Sequence, residues 1–340
     1  MTSCKNMIWK IFSLVSITIV ICFCFSQLDW NLSYHKTQFK FVYPFPENKA
    51  ENVSTRNTAT HVLLITYLRS GSTFTGEVLE HLSESTFYDY EPLHHMTLST
   101  RLYGKRALDA IDHLLNLFRC NYVDETYLKY VQKKENSYML KNNRFLWKHC
   151  KKQKNCSKSE VMSSVCNKAK VHVMKVLRLP LSYVQNLLVQ ATDLDIRVVY
   201  LVRDPRGIYG SRKTRSWCRP TNCSNITVLC DEIWDDLVSF YRLQEAFPGK
   251  FLFLRFEDMA LKPLDEIKKL LKNLGFQISK ALNKYLERHT SSKNKISQSA
   301  FSTVRNSSSI PSKWRSTLTV SEKKNIKKKC SRVLNKLGQP

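Results

Sequence analysis

His61-Val62-Leu63-Leu64-Ile65-Thr66-Tyr67, running into Leu68-Arg69-Ser70-Gly71-Ser72-Thr73-Phe74, is the stretch that decides the fold. Its first half is a short apolar run without strict alternation, the pattern of a strand covered on both faces. Its second half is a turn of one glycine and small hydroxyl residues, and the pattern predicts a helix from there through about Leu82. A helix that starts directly after a strand presents unpaired N–H groups, and its dipole favours negative charge there. Ser72 and Thr73 add hydroxyl donors, and Arg69 can clamp phosphate or sulfate oxygens with two parallel N–H groups. The Walker A pattern G-x-x-x-x-G-K-[ST] is not met: there is a single glycine, and the basic residue precedes the turn. That weighs against ATP or GTP hydrolysis. Alone, the segment reads equally well as a helix after a tight turn.

Working outward, three more apolar runs match the first: Val171–Leu177, Ile196–Val202 and Phe251–Phe256. Helical patterns lie between them. Asp231–Ala246 carries Ile233, Leu237, Phe240 and Tyr241 at helical spacing, with acids in its first turn. Pro263–Leu274 starts on proline and stops at Gly275. Strands alternating with helices imply βαβ units and a doubly wound parallel sheet. The run Ile196–Val202 leads into Arg203-Asp204-Pro205-Arg206-Gly207-Ile208-Tyr209-Gly210-Ser211-Arg212. Pro205 is expected to open a helix with Asp204 as its cap, a structural role. Arg203 then stands at the C-terminal end of a strand, the edge where open α/β sheets bind ligands.

The 340 residues carry a net charge of +26, with 54 lysines and arginines against 28 acids. Such a field attracts polyanions. From Ser291 to Pro340 there are twelve basic residues and one acid, Glu322, a run that also reads as a solvated face. Residues 11–28 are uncharged and mostly apolar, preceded by Lys5 and Lys10, and just long enough to span a bilayer. The expected organisation is a cytosolic stub (1–10), a transmembrane signal-anchor (11–28), a lumenal stem (29–59) and a globular domain (60–340); a cleaved signal peptide is the competing reading of the apolar segment. Either address is lumenal. Eight of the eleven cysteines, from Cys120 to Cys330, lie beyond the apolar segment, an even number that suits disulfides. No C-x-x-C pair points to zinc. The N-glycosylation pattern recurs at Asn31, Asn52, Asn155, Asn222, Asn225 and Asn306.

With both loops in view, the chain resembles the Golgi carbohydrate sulfotransferases, in particular the branch that sulfates the 6-hydroxyl of N-acetylglucosamine, galactose or N-acetylgalactosamine. Arg69-Ser70-Gly71-Ser72-Thr73-Phe74 looks like the family's 5′-phosphosulfate loop R-S-G-S-S-F, with a hydroxyl kept at Thr73. The segment from Leu201 to Arg206, followed by Ser211-Arg212, looks like its 3′-phosphate loop. Tyr90-Glu91-Pro92-Leu93-His94-His95 is similar to Y-E-P-x-x-H, and Lys175-Val176-Leu177-Arg178 to K-x-x-R. Phe301 to Ser307, with Trp314-Arg315 beyond, resembles a C-terminal loop that closes over the nucleotide. The resemblance implies a P-loop-like doubly wound parallel sheet with helices on both faces, after an N-terminal transmembrane helix, in a single-pass type II Golgi membrane protein.

It also implies 3′-phosphoadenosine 5′-phosphosulfate as the sulfuryl donor and a glycan or glycosaminoglycan as the acceptor. The donor is expected at Arg69, Ser70, Gly71, Ser72, Thr73, Phe74, Arg203, Ser211 and Arg305. Sulfuryl transfer resembles phosphoryl transfer: in-line attack, with charge growing on the leaving phosphate oxygen. Arg69 and the turn amides would stabilise that oxygen. The sugar hydroxyl needs a base, and Glu91 is the candidate, with His95 the alternative. Burial would raise the Glu91 carboxyl and a neighbouring arginine would lower it. No metal is required, because the arginines already supply positive charge. Three other readings compete: a P-loop phosphotransferase, a non-catalytic heparin- or glycan-binding protein, and, weakest, a nucleic-acid binder without a recognition motif.

Overall fold

The computed structural model describes residues 60–150, 155–218, 222–291, 293 and 302–339. The expected membrane segment, the stem, Asn31 and Asn52 lie outside these residues, as does Phe301. Among the described residues, no helix is long and apolar enough to cross a membrane.

Among the described residues, five strands form one sheet: β1 (His61–Ile65), β2 (Thr86–Tyr90), β3 (Val171–Val176), β4 (Ile196–Val202) and β5 (Phe251–Arg255). Their order is β2-β3-β1-β4-β5, and every pairing is parallel. The chain moves one way from β1 to β2 and the opposite way for the later crossovers. Right-handed crossovers then carry helices to both faces. The strand interiors are accordingly apolar on both sides; Val62, Leu63, Leu64 and Ile65 are all buried.

The four expected strands are present; β4 has its expected bounds, and the other three end one or two residues early. β2 escapes sequence reading because its run Thr86-Phe87-Tyr88-Asp89-Tyr90 is interrupted by an acid. That acid is buried and satisfied: Asp89 accepts from Tyr122 Oη at 2.9 Å and faces His172 Nε2 at 2.6 Å. A buried carboxylate with such partners is tolerated within a strand.

The helix expected over Asp231–Ala246 starts earlier, at Ile226. Asn225 caps it, its side chain accepting from the amides of Thr227 and Val228, so the acids beginning at Asp231 lie beyond the first turn. Pro263–Leu274 has its expected bounds, with Gly275 in the left-handed conformation at its end. The eight cysteines form four disulfides: Cys120–Cys166, Cys150–Cys156, Cys218–Cys223 and Cys230–Cys330. The last ties the C-terminal helices to the long helix Ile226–Ala246.

β1 and β4 are neighbours, with Ile65 opposite Tyr200, so the loops that follow them lie side by side at the carboxyl edge of the sheet. Beneath them Asp236 accepts from Tyr67 Oη (2.7 Å), Arg101 Nη2 (2.6 Å) and the amide of Leu181 (2.9 Å). This buried network holds the exit of β1 in place.

Candidate functional site

The turn after β1 has two residues at positive φ, Arg69 at 72° and Gly71 at 97°. Gly71 is required there twice over, since a Cβ would also stand 2.3 Å from Phe256 Cδ2. The helix Ser72–Glu80 begins without a side-chain cap, and its first backbone bond runs from Thr75 N to Gly71 O at 3.2 Å. The amides of Ser72, Thr73 and Phe74 therefore have no acceptor within the helix. Ser70 does not belong with them. It is fully buried, its hydroxyl donates to Tyr67 O (2.7 Å) and meets Thr66 Oγ1 (2.6 Å), and its amide donates to Tyr67 O. It braces the turn from behind, which corrects its expected place among the donor-binding side chains.

The loop after β4 closes on the first. Arg203 donates through Nη1 to Arg69 O at 3.0 Å, and Arg69 donates through Nε to Ser211 Oγ at 2.9 Å. The Arg203 guanidinium lies 4.3 Å over the Phe256 ring, and its Nε is buried without a hydrogen-bond partner. Gly207 makes room for it, since a Cβ at that position would stand 2.8 Å from that Nε. Asp204 has the structural role expected. It caps Pro205–Arg212 through the Arg206 amide and pairs with the Arg206 side chain, which stacks on Trp314. Arg212 is buried as well, donating to Leu68 O and Cys223 O, so it ties this helix to the turn after β1 and to the Cys218–Cys223 loop.

Positive charge accumulates at this junction. Burial, followed by Arg215, Arg203 and Arg305, pushes the Arg69 guanidinium down to about 10. Arg305 is lowered by burial and then by Arg215, and Arg203 chiefly by burial. Cations that depress one another in a cleft form a site that gains stability when an anion arrives.

The other side of the cleft is built where β2 and β3 end together, with Tyr90 paired to Lys175. Glu91, at φ 53°, donates its amide to Lys175 O. Its carboxylate meets Lys175 Nζ at 3.1 Å and Arg178 Nη1 at 2.9 Å. Lys175 is wholly buried, its ammonium 3.2 Å from the centre of the Tyr90 ring. Burial raises the Glu91 carboxyl, but Lys175 and Arg178 outweigh it and hold the group at about 2. That resolves the competition between burial and cation in favour of the cations. His94 lines the cleft beside it, with Nδ1 against Tyr130 Oη at 2.5 Å. Burial, then Arg178, lowers His94 to about 4, so its imidazole is neutral at pH 7.

A cleft of about 720 Å³ joins the two sides. Of the residues expected from sequence, Arg69, Gly71, Ser72, Thr73, Phe74, Glu91, Arg203 and Arg305 line it. Ser211 stands just behind, on Arg69. His95 turns away from the cleft. Its Nδ1 donates to Pro92 O (2.9 Å) and its ring packs between His113 and Tyr127, so the expectation of His95 as alternative base is corrected. Sequence reasoning passed over His94 because adjacent histidines cannot be told apart until the turn directs one ring inward. It also missed Trp217, Tyr138, Asn142 and His289, which come to the cleft from distant segments. Arg305 is held by its amide to His289 O and by Nε to Ser302 O.

These groups fit a donor with two separated anionic ends. One end would meet the uncapped helix amides and Arg69, the other the buried unpartnered Arg203 Nε and Ser211. The sulfotransferase domain family matches residues 59–338. Among curated proteins the chain is 26% identical to human carbohydrate sulfotransferase 1, covering 82% of this chain and 79% of that protein. It is 26% identical to mouse carbohydrate sulfotransferase 4, covering 82% and 81%, and 26% identical to human carbohydrate sulfotransferase 3, covering 75% and 62%. Among solved structures, the sulfotransferase domain from the curacin biosynthetic pathway aligns at a TM-score of 0.47 and 14% identity, over 84% of this chain and 99% of that one.

Proposed function

The chain belongs to the sulfotransferase domain family, and from that premise we propose that it transfers a sulfuryl group from 3′-phosphoadenosine 5′-phosphosulfate to the 6-hydroxyl of N-acetylglucosamine, galactose or N-acetylgalactosamine on a glycan or glycosaminoglycan. The observation that carries the reading is the junction Ser211–Arg69–Arg203, where two strand-end loops present a shared set of cations beside an uncapped helix. The carbohydrate sulfotransferases matched over four-fifths of the chain support a sugar as acceptor. Four disulfides suit the Golgi lumen, and residues 11–28 suit a type II signal-anchor.

When bound, the donor supplies the activated sulfur–oxygen linkage. Arg69 and the amides of Ser72, Thr73 and Phe74 hold its phosphosulfate end and meet the charge that grows on the leaving oxygen. Arg203 and Ser211 hold the 3′-phosphate, and Arg305 closes from the C-terminal side. Glu91 accepts the proton of the incoming hydroxyl and orients it. A carboxylate near 2 is a weak base, but a loose transition state needs little deprotonation before sulfur transfer. Neutral His94 is the second candidate for that proton. The test is transfer of labelled sulfur from donor to a panel of chondroitin, desulfated keratan and N-acetylglucosamine-terminated glycans. Label in one acceptor, abolished by Arg69→Ala, is the expected result. No label and no affinity for 3′,5′-bisphosphoadenosine would sink the reading.

A further inference from the structure

His95, His113 and Asp124 come together behind the cleft, outside the machinery described above. Each offers one ligand atom, and the three atoms lie within 4.8 Å of one another. Asp124 Oδ2 accepts a hydrogen bond from His113 Nδ1 at 3.1 Å, which a metal would replace, and stands 3.6 Å from His95 Nε2. The other oxygen of Asp124 is committed, accepting from the amides of Thr126 and Tyr127 as the cap of Glu125–Gln132. The tautomer of His95 is settled by its neighbour. A carbonyl can only accept, so Nδ1 carries the proton donated to Pro92 O, and Nε2 presents a lone pair. That lone pair faces a carboxylate oxygen, beyond hydrogen-bond range and with no hydrogen between them. Two lone pairs pointed at each other are unfavourable unless a cation sits between them.

We propose that His95, His113 and Asp124 bind a divalent cation of the zinc type. Two imidazoles and a carboxylate are a zinc-like donor set, and Asp124, about a third exposed, leaves the cluster reachable from solvent. Tetrahedral bonds of about 2.0–2.1 Å place ligand atoms roughly 3.3 Å apart, between the two separations found here. The Nδ1–H of His95 donating to a backbone carbonyl is the outer-shell arrangement that orients a metal-binding imidazole. The site has a consequence for the cleft. The short segment after β2 carries Glu91 and His94 into the cleft and His95 into this cluster, so a metal on His95 pins the segment that presents the acceptor-side groups.

The experiment titrates zinc alone into the full-length chain purified without a histidine tag, and follows bound metal, thermal stability and the visible bands of a cobalt-substituted sample. The expected result is one zinc per chain, a raised Tm and the intense bands of tetrahedral cobalt. His113→Gln and Asp124→Asn should each lose the bound equivalent; asparagine keeps the helix cap, so the second variant folds. Failure of the wild-type chain to bind zinc overturns the proposal whatever the variants do. Retention of the equivalent in both variants overturns it as well, since the metal would then sit elsewhere. None of these readouts depends on sulfuryl transfer.

Discussion

Replacing Arg69 with alanine should make the protein more stable and less active at once. The guanidinium is held at about 10 rather than 12.5 by burial and by Arg215, Arg203 and Arg305. A lowered folded-state value means that the charged form is disfavoured by folding, so the cost is present at every pH below about 10 and fades above it. Its size is on the order of 3 kcal/mol. Alanine removes that cost and loses, among its contacts, the charge-assisted bond to Ser211 Oγ, worth about 2 kcal/mol. The net gain of about 1 kcal/mol corresponds to a Tm higher by roughly 2 °C for a domain of this size. Catalysis should move the other way. Two charge-assisted bonds to the donor, at about 1.5–3 kcal/mol each, amount to a hundredfold loss in kcat/KM at the least. Thermal unfolding without ligand and initial rates with labelled donor, on the same preparation, measure both. A Tm that falls together with activity would refute the reasoning, because Arg69 would then be part of the scaffold and the cluster would not be a strained anion site.

Glu91→Gln leaves Lys175 and Arg178 buried without their counter-charge and should cost about 3–5 kcal/mol in denaturant unfolding at neutral pH. Because Glu91 is held at about 2, its contribution is fully present above the ordinary value of 4.5 and is lost as the pH falls from there towards 2; acid unfolding in that window should be shallower in the variant. Ser70→Ala should lower stability by about 1 kcal/mol while leaving the donor KM nearly unchanged, since the hydroxyl faces Tyr67 and Thr66; a large rise in KM would contradict the placement. Cys330→Ser opens the bond that closes 100 residues and should cost about 4 kcal/mol, read as the loss in unfolding free energy. Asn306 should carry no glycan despite its acceptor pattern, because it stands between Arg305 and Ser307 on the cleft; high occupancy in a glycopeptide map of active protein would count against closure by this loop.

The sequence by itself determined what depends on neighbours along the chain. Runs such as Val62 to Ile65 and Val198 to Val202 are apolar enough to be strands buried on both faces, and the turns after them carry glycine and arginine where anions bind. Asp204 and Pro205 declare a helix start, because capping is local. Tertiary structure decided whatever depends on contacts across the fold. β2 became legible only with His172 and Tyr122 in place to satisfy Asp89. Four disulfides emerged from eight cysteines because spacing does not specify which chains meet. Glu91 lies at about 2, not above its ordinary value, because β3 brings Lys175 and Arg178 to the end of β2, and strand order cannot be read from one strand. Likewise two adjacent histidines with the same local signal part company: the turn after Glu91 directs His94 to the cleft and His95 to Asp124, since side-chain direction is set by backbone geometry and by the partners the fold supplies.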